Sequence, residues 1–225
     1  MASEPAVLDR RPPLSLPSPP LDWLTLADAF EAACLLRCMP PPAGVRPARA
    51  AVAYPAPVVE FNREDAAQRM RQLLDRVGIP VGHELAVGGL RRRYELHRLR
   101  VPHEHRVDYA RLMAVGWRQG RRELFTPSVP GASTARRIWV PRLAEAAWRS
   151  ALLAGGRHVR RHILGVRLTD RELAAVLIRS AALLGVPAQL RPGTGCFLVS
   201  VAKGPDRDRI LDRTTLAPAR AAGPA

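Results

Sequence analysis

Nine arginines fall on or beside segments that the sequence predicts as β-strands: Arg91, Arg92, Arg93, Arg98, Arg100, Arg160, Arg161, Arg167 and Arg191. An arginine guanidinium stays charged and donates paired hydrogen bonds to a phosphate or to the O6 and N7 atoms of guanine. We therefore expect these side chains to contact a polyanion. The alternative is a solvated outer face of ordinary basic residues.

Cysteines and histidines do not form a recognisable metal or catalytic set. Cys34 and Cys38 lie four positions apart on one face of a predicted helix, but a structural zinc site needs about four ligands. Cys196, His158 and His162 would complete that number, and nothing in the sequence brings them together. We find no Ser/His/Asp arrangement and no glycine-rich loop with the lysine of a P-loop. The sequence predicts no cofactor and no metal site.

The charge of the chain indicates the class of partner. Its 225 residues include 35 Lys and Arg against 20 Asp and Glu, a formal charge of +15. Lys203 is the single lysine, so a coding bias favours arginine, but that bias does not explain the shortage of acids. The excess predicts a nucleic acid partner. Because aromatic residues make up only 5% of the chain, stacking on unpaired bases is disfavoured and a duplex is expected.

The compartment follows from cysteine usage and hydropathy. The three cysteines are an odd number, and no signal sequence opens the chain. Every apolar stretch is interrupted by a charge before it reaches the roughly 20 residues of a membrane helix. We expect a cytoplasmic protein that does not cross a membrane.

An internal repeat predicts the architecture. Residues 62–80 match residues 169–187 without a gap. Asn62 and Thr169 are of the types that cap helix N-termini, with Asp65 and Glu172 three residues on as in a capping box. Each segment ends in a glycine and then a proline, which is typical of a helix C-terminus with a left-handed residue. Each half therefore contains one capped helix that buries an apolar face on a sheet.

The elements around the capped helices complete the fold prediction. Two strands flank each helix: Val58 to Phe61 and Tyr94 to Val101 in the first half, Ile163 to Leu168 and Cys196 to Ala202 in the second. Short basic turns separate them. We predict an α+β fold of two pseudo-symmetric halves, whose antiparallel sheets form a concave saddle with helices on the opposite face. The predicted segments are a proline-rich arm (1–22), a first half (23–118), an exposed connector (119–141), a second half (142–212) and a tail (213–225).

The segment 145–156, E-A-A-W-R-S-A-L-L-A-G-G, resembles the second motif helix of the WhiA family. The segments Val166 to Leu168 and Leu184 to Ala188 are similar to that family in order and spacing, and Glu31 to Met39 gives a weaker match in the first half. WhiA proteins join a LAGLIDADG homing-endonuclease-like region to a C-terminal helix-turn-helix and regulate sporulation and cell-division genes. The resemblance implies a LAGLIDADG-like fold and covers about residues 25–212.

The same resemblance bears on catalysis. LAGLIDADG nucleases place an acid near the end of each motif helix to hold Mg²⁺ beside the scissile phosphates. The alignment puts Gly155 at one such position and Pro41 at the other. Since neither can bind a metal, we expect no nuclease activity. We also expect no helix-turn-helix, because only a short Ala/Pro tail follows Asp212.

Two functions from different classes follow. The first is a non-catalytic regulator that binds duplex DNA through the saddle, with a companion transcription regulator as a partner implied by the resemblance. The second is a protein-interaction module that docks on another regulator or on a division component. One continuous basic surface would favour DNA, whereas scattered arginines around an exposed apolar patch would favour a protein partner.

Overall fold

The computed structural model describes residues 19–39, 58–88, 94–127, 131, 133–160 and 163–215. The first half contains α1 (Trp23–Cys38), β1 (Val58–Phe61), α2 (Glu64–Arg76), β2 (Gly82–Gly88), β3 (Tyr94–Arg100), a 3₁₀ turn (His103–His105) and α3 (Arg106–Phe125). The second half contains α4 (Thr134–Ala154), β4 (Gly156–Arg160), β5 (Ile163–Leu168), α5 (Arg171–Leu183), β6 (Ala188–Gly193), β7 (Cys196–Ala202) and α6 (Pro205–Thr214).

Two antiparallel sheets correspond to the two halves. The first sheet has the order β1-β3-β2, and the second has the order β4-β5-β7-β6. The strands β1, β2 and β3 therefore occupy the places of β5, β6 and β7, while β4 has no counterpart among the described residues of the first half. The predicted α+β class with antiparallel sheets is confirmed.

Helices cover one face of each sheet because the strands alternate in polarity. Val59, Phe61 and Leu99 of the first sheet are buried in the core, and so are the corresponding apolar residues of the second sheet: Leu164, Val166, Leu168, Val199 and Val201. The remaining positions lie on the opposite side, which we call the outer face of each sheet.

The helices α1 and α4 pack against each other at the centre of the molecule. Small side chains permit the close approach: Ala32, Ala33, Ala147 and Ala151 are all buried. The Ser150 hydroxyl, fully buried, donates to the Glu31 carbonyl oxygen across the helix pair at 3.0 Å. Helix α3 packs on α1 through Gly116 and Gly120, where an added Cβ would come within 2.7 Å of Ala29 and 2.3 Å of Phe30.

The repeat is present, but its helix N-caps lie one residue later than predicted. Asp170, not Thr169, caps α5, because its carboxylate accepts hydrogen bonds from the backbone N–H groups of the first turn at 2.8 and 3.1 Å. The N-cap of α2 is Arg63, not Asn62, and its side chain makes no capping hydrogen bond. The helix ends are as predicted, with Gly78 and Gly185 at φ +77° and +71° in the left-handed region.

The prediction of the strands is incomplete. The expected basic turns after α2 and α5 contain the strands β2 and β6, and a further strand, β4, lies between α4 and β5. Within the expected connector (119–141), α3 continues to Phe125 and α4 begins at Thr134 with Pro141 inside it. An interior proline costs about 3 kcal/mol in a helix, and here the buried side chains of Val140, Leu143 and Ala144 around it offset that cost.

Candidate nucleic-acid interface

The outer face of the first sheet carries alternating charges. Strand register places Arg98 between Glu60 on β1 and Glu84 on β2. Arg98 Nε donates to Glu60 Oε1 at 2.7 Å, and Arg100 Nε donates to Glu84 Oε1 at 3.3 Å. All four side chains are 41–54% exposed, so the two ion pairs are weak and can exchange partners. These two arginines are nevertheless neutralised by two carboxylates on the same face.

The outer face of the second sheet has a different composition. Register places Leu198 of β7 between Arg167 of β5 and Arg191 of β6, and both arginines are exposed. The guanidinium of Arg191 donates to Gln189 Oε1 at 3.2 Å, a neutral partner. The described strands of this sheet contain no Asp or Glu. Arg167 and Arg191 therefore give this face a net positive charge.

The structure brings the predicted arginines together in two pairs. Arg98 and Arg100 share the first outer face, and Arg167 and Arg191 share the second. Residue 160 is described by its backbone alone, which pairs with Ile163. The other predicted contacts lie outside the described residues: Arg91, Arg92, Arg93 and Arg161. The sequence placed Arg98, Arg100 and Arg167 on strands, whereas Arg191 lies on β6, which was not predicted. The sequence did not show which of these arginines have acidic neighbours.

A cavity of about 240 Å³ lies where the two central helices end. It is lined by residues of both halves: Cys38, Met39, Asn62, Ala154, Arg167, Leu168, Thr169 and Cys196. Among the residues that the structure describes, this lining contains polar and sulfur groups but no carboxylate. Burial raises the pKa of the Cys38 thiol far above its ordinary value, so this thiol stays protonated at neutral pH.

The end of α4 beside this cavity has no space for a metal-binding acid. Met39 and Gly155 are the C-caps of α1 and α4, while Pro41 lies outside the described residues. A Cβ at position 155 would meet the carbonyl oxygen of Ala151 at 2.5 Å and Cγ1 of Val166 at 2.7 Å. Position 155 thus excludes any side chain unless the helix or β5 moves.

Other groups of metal-ligating residues are small. No cluster of three or more His, Cys, Asp or Glu suited to a metal occurs in the described part of the chain. His83 and His97 stack across β2 and β3, with Nε2 of the former 3.2 Å from Nδ1 of the latter. A pair of this kind is an ordinary ring-to-ring hydrogen bond.

Ion pairs between the halves were missed by the sequence analysis. The buried Glu31 carboxylate of α1 accepts hydrogen bonds from Arg69 of α2 at 2.6 and 2.8 Å and from Arg149 of α4 at 2.7 Å. On the other side of α1, Arg37 pairs with Asp170 and stacks 3.9 Å from the ring centre of Trp117. These contacts fix the two sheets relative to one another, which a two-sheet interface requires.

Hydropathy gives a separate result. Among the helices that the structure describes, none is both long enough and apolar enough to span a bilayer.

Comparison with known proteins gives matches by structure only. No protein family and no curated protein matches the sequence. The N-terminal LAGLIDADG domain of DUF199/WhiA superimposes with a TM-score of 0.54 at 14% identity, over 86% of this chain and 85% of that domain. Full-length DUF199/WhiA from Thermatoga maritima gives 0.50 at 14% identity, and this chain spans 63% of its length while 89% of this chain is covered.

A homing endonuclease shows the same likeness. A variant of I-DmoI, in complex with its target DNA in the presence of Mg, gives a TM-score of 0.50 at 16% identity, over 84% of this chain and 97% of that one. At such identities the likeness concerns the fold. The two sheets, the paired central helices and these matches identify the chain as a domain with the LAGLIDADG-type fold found in WhiA.

Proposed function

We propose that this protein binds duplex DNA across the outer faces of its two sheets and does so without cleaving it. The proposal rests on Arg167 and Arg191, two exposed arginines on the outer face of the second sheet. The described strands of that sheet contain no Asp or Glu. The formal charge of +15 supports it. The structural likeness to I-DmoI, which was solved on its target DNA, adds a fold-level analogy.

The geometry suits phosphate contacts. Arg167 and Arg191 lie on strands separated by one strand, so their Cα atoms are on the order of 10 Å apart. Two long side chains at that separation can reach different phosphates of one duplex. Each phosphate that is neutralised releases condensed counterions, which makes binding steeply dependent on salt.

Absence of cleavage is part of the proposal. Phosphodiester hydrolysis in this fold requires acids at the ends of the central helices to hold a metal beside the phosphate. The C-caps here are Met39 and Gly155, and the described residues that line the cavity beside them include no Asp or Glu. The cavity can accept a phosphate near Arg167, but its lining offers no hard oxygen ligand with a charge.

The biological role belongs to the same proposal. By its resemblance to WhiA we assign the chain to transcriptional or developmental regulation, acting on the nucleoid in the cytoplasm with a companion regulator. The sequence-based resemblance of residues 145–156 and the shared fold support this assignment.

Fluorescence anisotropy with a labelled duplex across a salt series tests the DNA proposal. Arg167→Ala/Arg191→Ala should weaken binding and lower the slope of log K against log salt by about two. Arg71→Ala/Arg118→Ala is the matched control, because it removes the same charge from exposed sites on α2 and α3. If both variants weaken binding equally, the interaction depends only on the net charge of the protein. If the wild type does not bind at physiological salt, DNA is excluded as the partner.

A protein partner is the second candidate. Leu85 and Val87 of β2 are 61% and 67% exposed, and β2 is an edge strand of the described sheet. An edge strand with exposed apolar side chains can pair with a strand of another protein. Three results together would favour this candidate. The wild type would bind a partner regulator, the Leu85→Lys/Val87→Lys variant would not bind it, and the wild type would not bind DNA.

A further inference from the structure

The internal repeat allows the two outer faces to be compared position by position. The offset that relates residue 62 to residue 169 also relates Glu60 to Arg167 and Glu84 to Arg191. Strand pairing gives the same correspondence independently, since Arg98 stands between the first pair and Leu198 between the second. Each sheet thus has a row of three residues side by side on neighbouring strands: Glu60, Arg98 and Glu84 in the first half, and Arg167, Leu198 and Arg191 in the second. The first row has the order acid, base, acid, and the second row has the order base, apolar, base.

This inversion of charge affects how each sheet meets a phosphate backbone. A carboxylate close to a phosphate is repelled by it, and this repulsion is stronger near a protein surface than in bulk water. Glu60 and Glu84 project on the same face as Arg98 and Arg100, and each is already hydrogen-bonded to one of these arginines. The first outer face is thus unfavourable for phosphates, whereas the second attracts them.

The first row has the chemistry of base recognition. A carboxylate accepts a hydrogen bond from the N4 amino group of cytosine, and an arginine donates two to O6 and N7 of guanine. Glu60, Arg98 and Glu84 lie side by side on neighbouring strands, which are spaced about 4.8 Å apart. An acceptor beside a donor at that spacing matches the two edges that a G·C pair presents in the major groove.

We propose that the two sheets divide the contact with the duplex. The second sheet binds phosphates through Arg167 and Arg191, and the first sheet selects G·C pairs through Glu60, Arg98 and Glu84. This division rests on the proposed DNA-binding function and assigns different roles to the two halves of that interface. The ion pairs of the first row are exposed, so bases can replace them at small cost.

Two duplexes of equal length, one built of G·C pairs and one of A·T pairs, test the division by anisotropy. The wild type should prefer the G·C duplex by about tenfold, the size of one good base contact. Glu60→Gln/Glu84→Gln should shift that preference toward A·T, because the glutamine amide pairs with N6 and N7 of adenine. Arg167→Ala/Arg191→Ala should weaken both duplexes equally and lower the salt slope.

The outcomes distinguish the division of roles between the two sheets from the DNA-binding function itself. If the glutamine variant strengthens binding to both duplexes by the same factor, the carboxylates act only by repulsion and the selective role is wrong. A wild type that binds both duplexes equally would overturn it as well. A wild type that binds neither duplex would remove the DNA-binding function itself. Circular dichroism of both variants confirms folding, since all substituted side chains are exposed or half-buried.

Discussion

Substitution of Glu31 by glutamine provides a quantitative test of how the halves are held together. The Glu31 side chain is 4% exposed and serves as the shared acceptor for Arg69 and Arg149, which are 12% and 16% exposed. The three side chains belong to α1, α2 and α4, so the carboxylate ties the two halves. Glu31→Gln keeps the shape of the side chain but removes the charge and replaces one acceptor oxygen with a donor.

The expected loss of stability is large because two guanidiniums remain buried without a carboxylate. Removal of one partner from a buried ion pair costs about 3–5 kcal/mol. Arg149 depends on Glu31 in particular, since its Nε is buried with no hydrogen-bond partner. Against a total of about 5–15 kcal/mol for a domain, Glu31→Gln should remove about a fifth or more of the free energy of unfolding.

Urea denaturation followed by circular dichroism measures this loss. With a slope of about 2–3 kcal/mol per molar urea, the midpoint should fall by about 1–2.5 M. Glu60→Gln is the matched control, because Glu60 makes one arginine pair on an exposed face and should cost less than about 1 kcal/mol. Equal midpoints for the two variants would refute the reasoning. Partial recovery in Glu31→Met/Arg149→Met would support it, since an apolar replacement removes one unpaired charge.

Four further predictions concern the packed glycines and the cysteines. Gly155→Asp should lower the melting temperature through contacts of its Cβ with α4 and β5 and should produce no Mg²⁺-dependent cleavage; cleavage of a duplex by this variant would contradict the interpretation of the helix end. Gly120→Ala should destabilise the chain by about 1–3 kcal/mol because its Cβ overlaps the Phe30 ring, and an unchanged urea midpoint would show that α3 can shift. Burial raises the pKa of Cys34 and Cys38 above the ordinary 9.0, so folding stability should fall as pH rises above about 9, where the unfolded thiols ionise first. At pH 8 a thiol reagent should modify the half-buried Cys196 before either of them, and simultaneous labelling of all three would disprove the burial.

Local patterns in the sequence were sufficient for several elements. The strands Val58–Phe61, Ile163–Leu168 and Cys196–Ala202 have the predicted bounds, because short apolar runs bounded by turn residues can be recognised locally. The left-handed glycines at the ends of α2 and α5 were predicted for the same reason, since only a residue without a Cβ adopts that conformation freely. The repeat and the antiparallel α+β class follow from these elements and their order.

Tertiary structure decided the remainder. Strands β2, β4 and β6 are polar or glycine-rich and lack an apolar pattern of their own, so pairing with a neighbour makes them strands. The helix around Pro141 also depends on tertiary packing, because proline has a low helix propensity.

The candidate interface depended on tertiary structure most of all. Arg98 and Arg191 look alike in the sequence, but strand pairing places Glu60 and Glu84 beside the first and Leu198 beside the second. Residues 60 and 98 become neighbours only when β1 and β3 pair. The sequence by itself determined the fold class and the basic character of the chain. Contacts between segments that are distant in the sequence decide which arginines have an acidic neighbour, because an electrostatic interaction depends on distance in space.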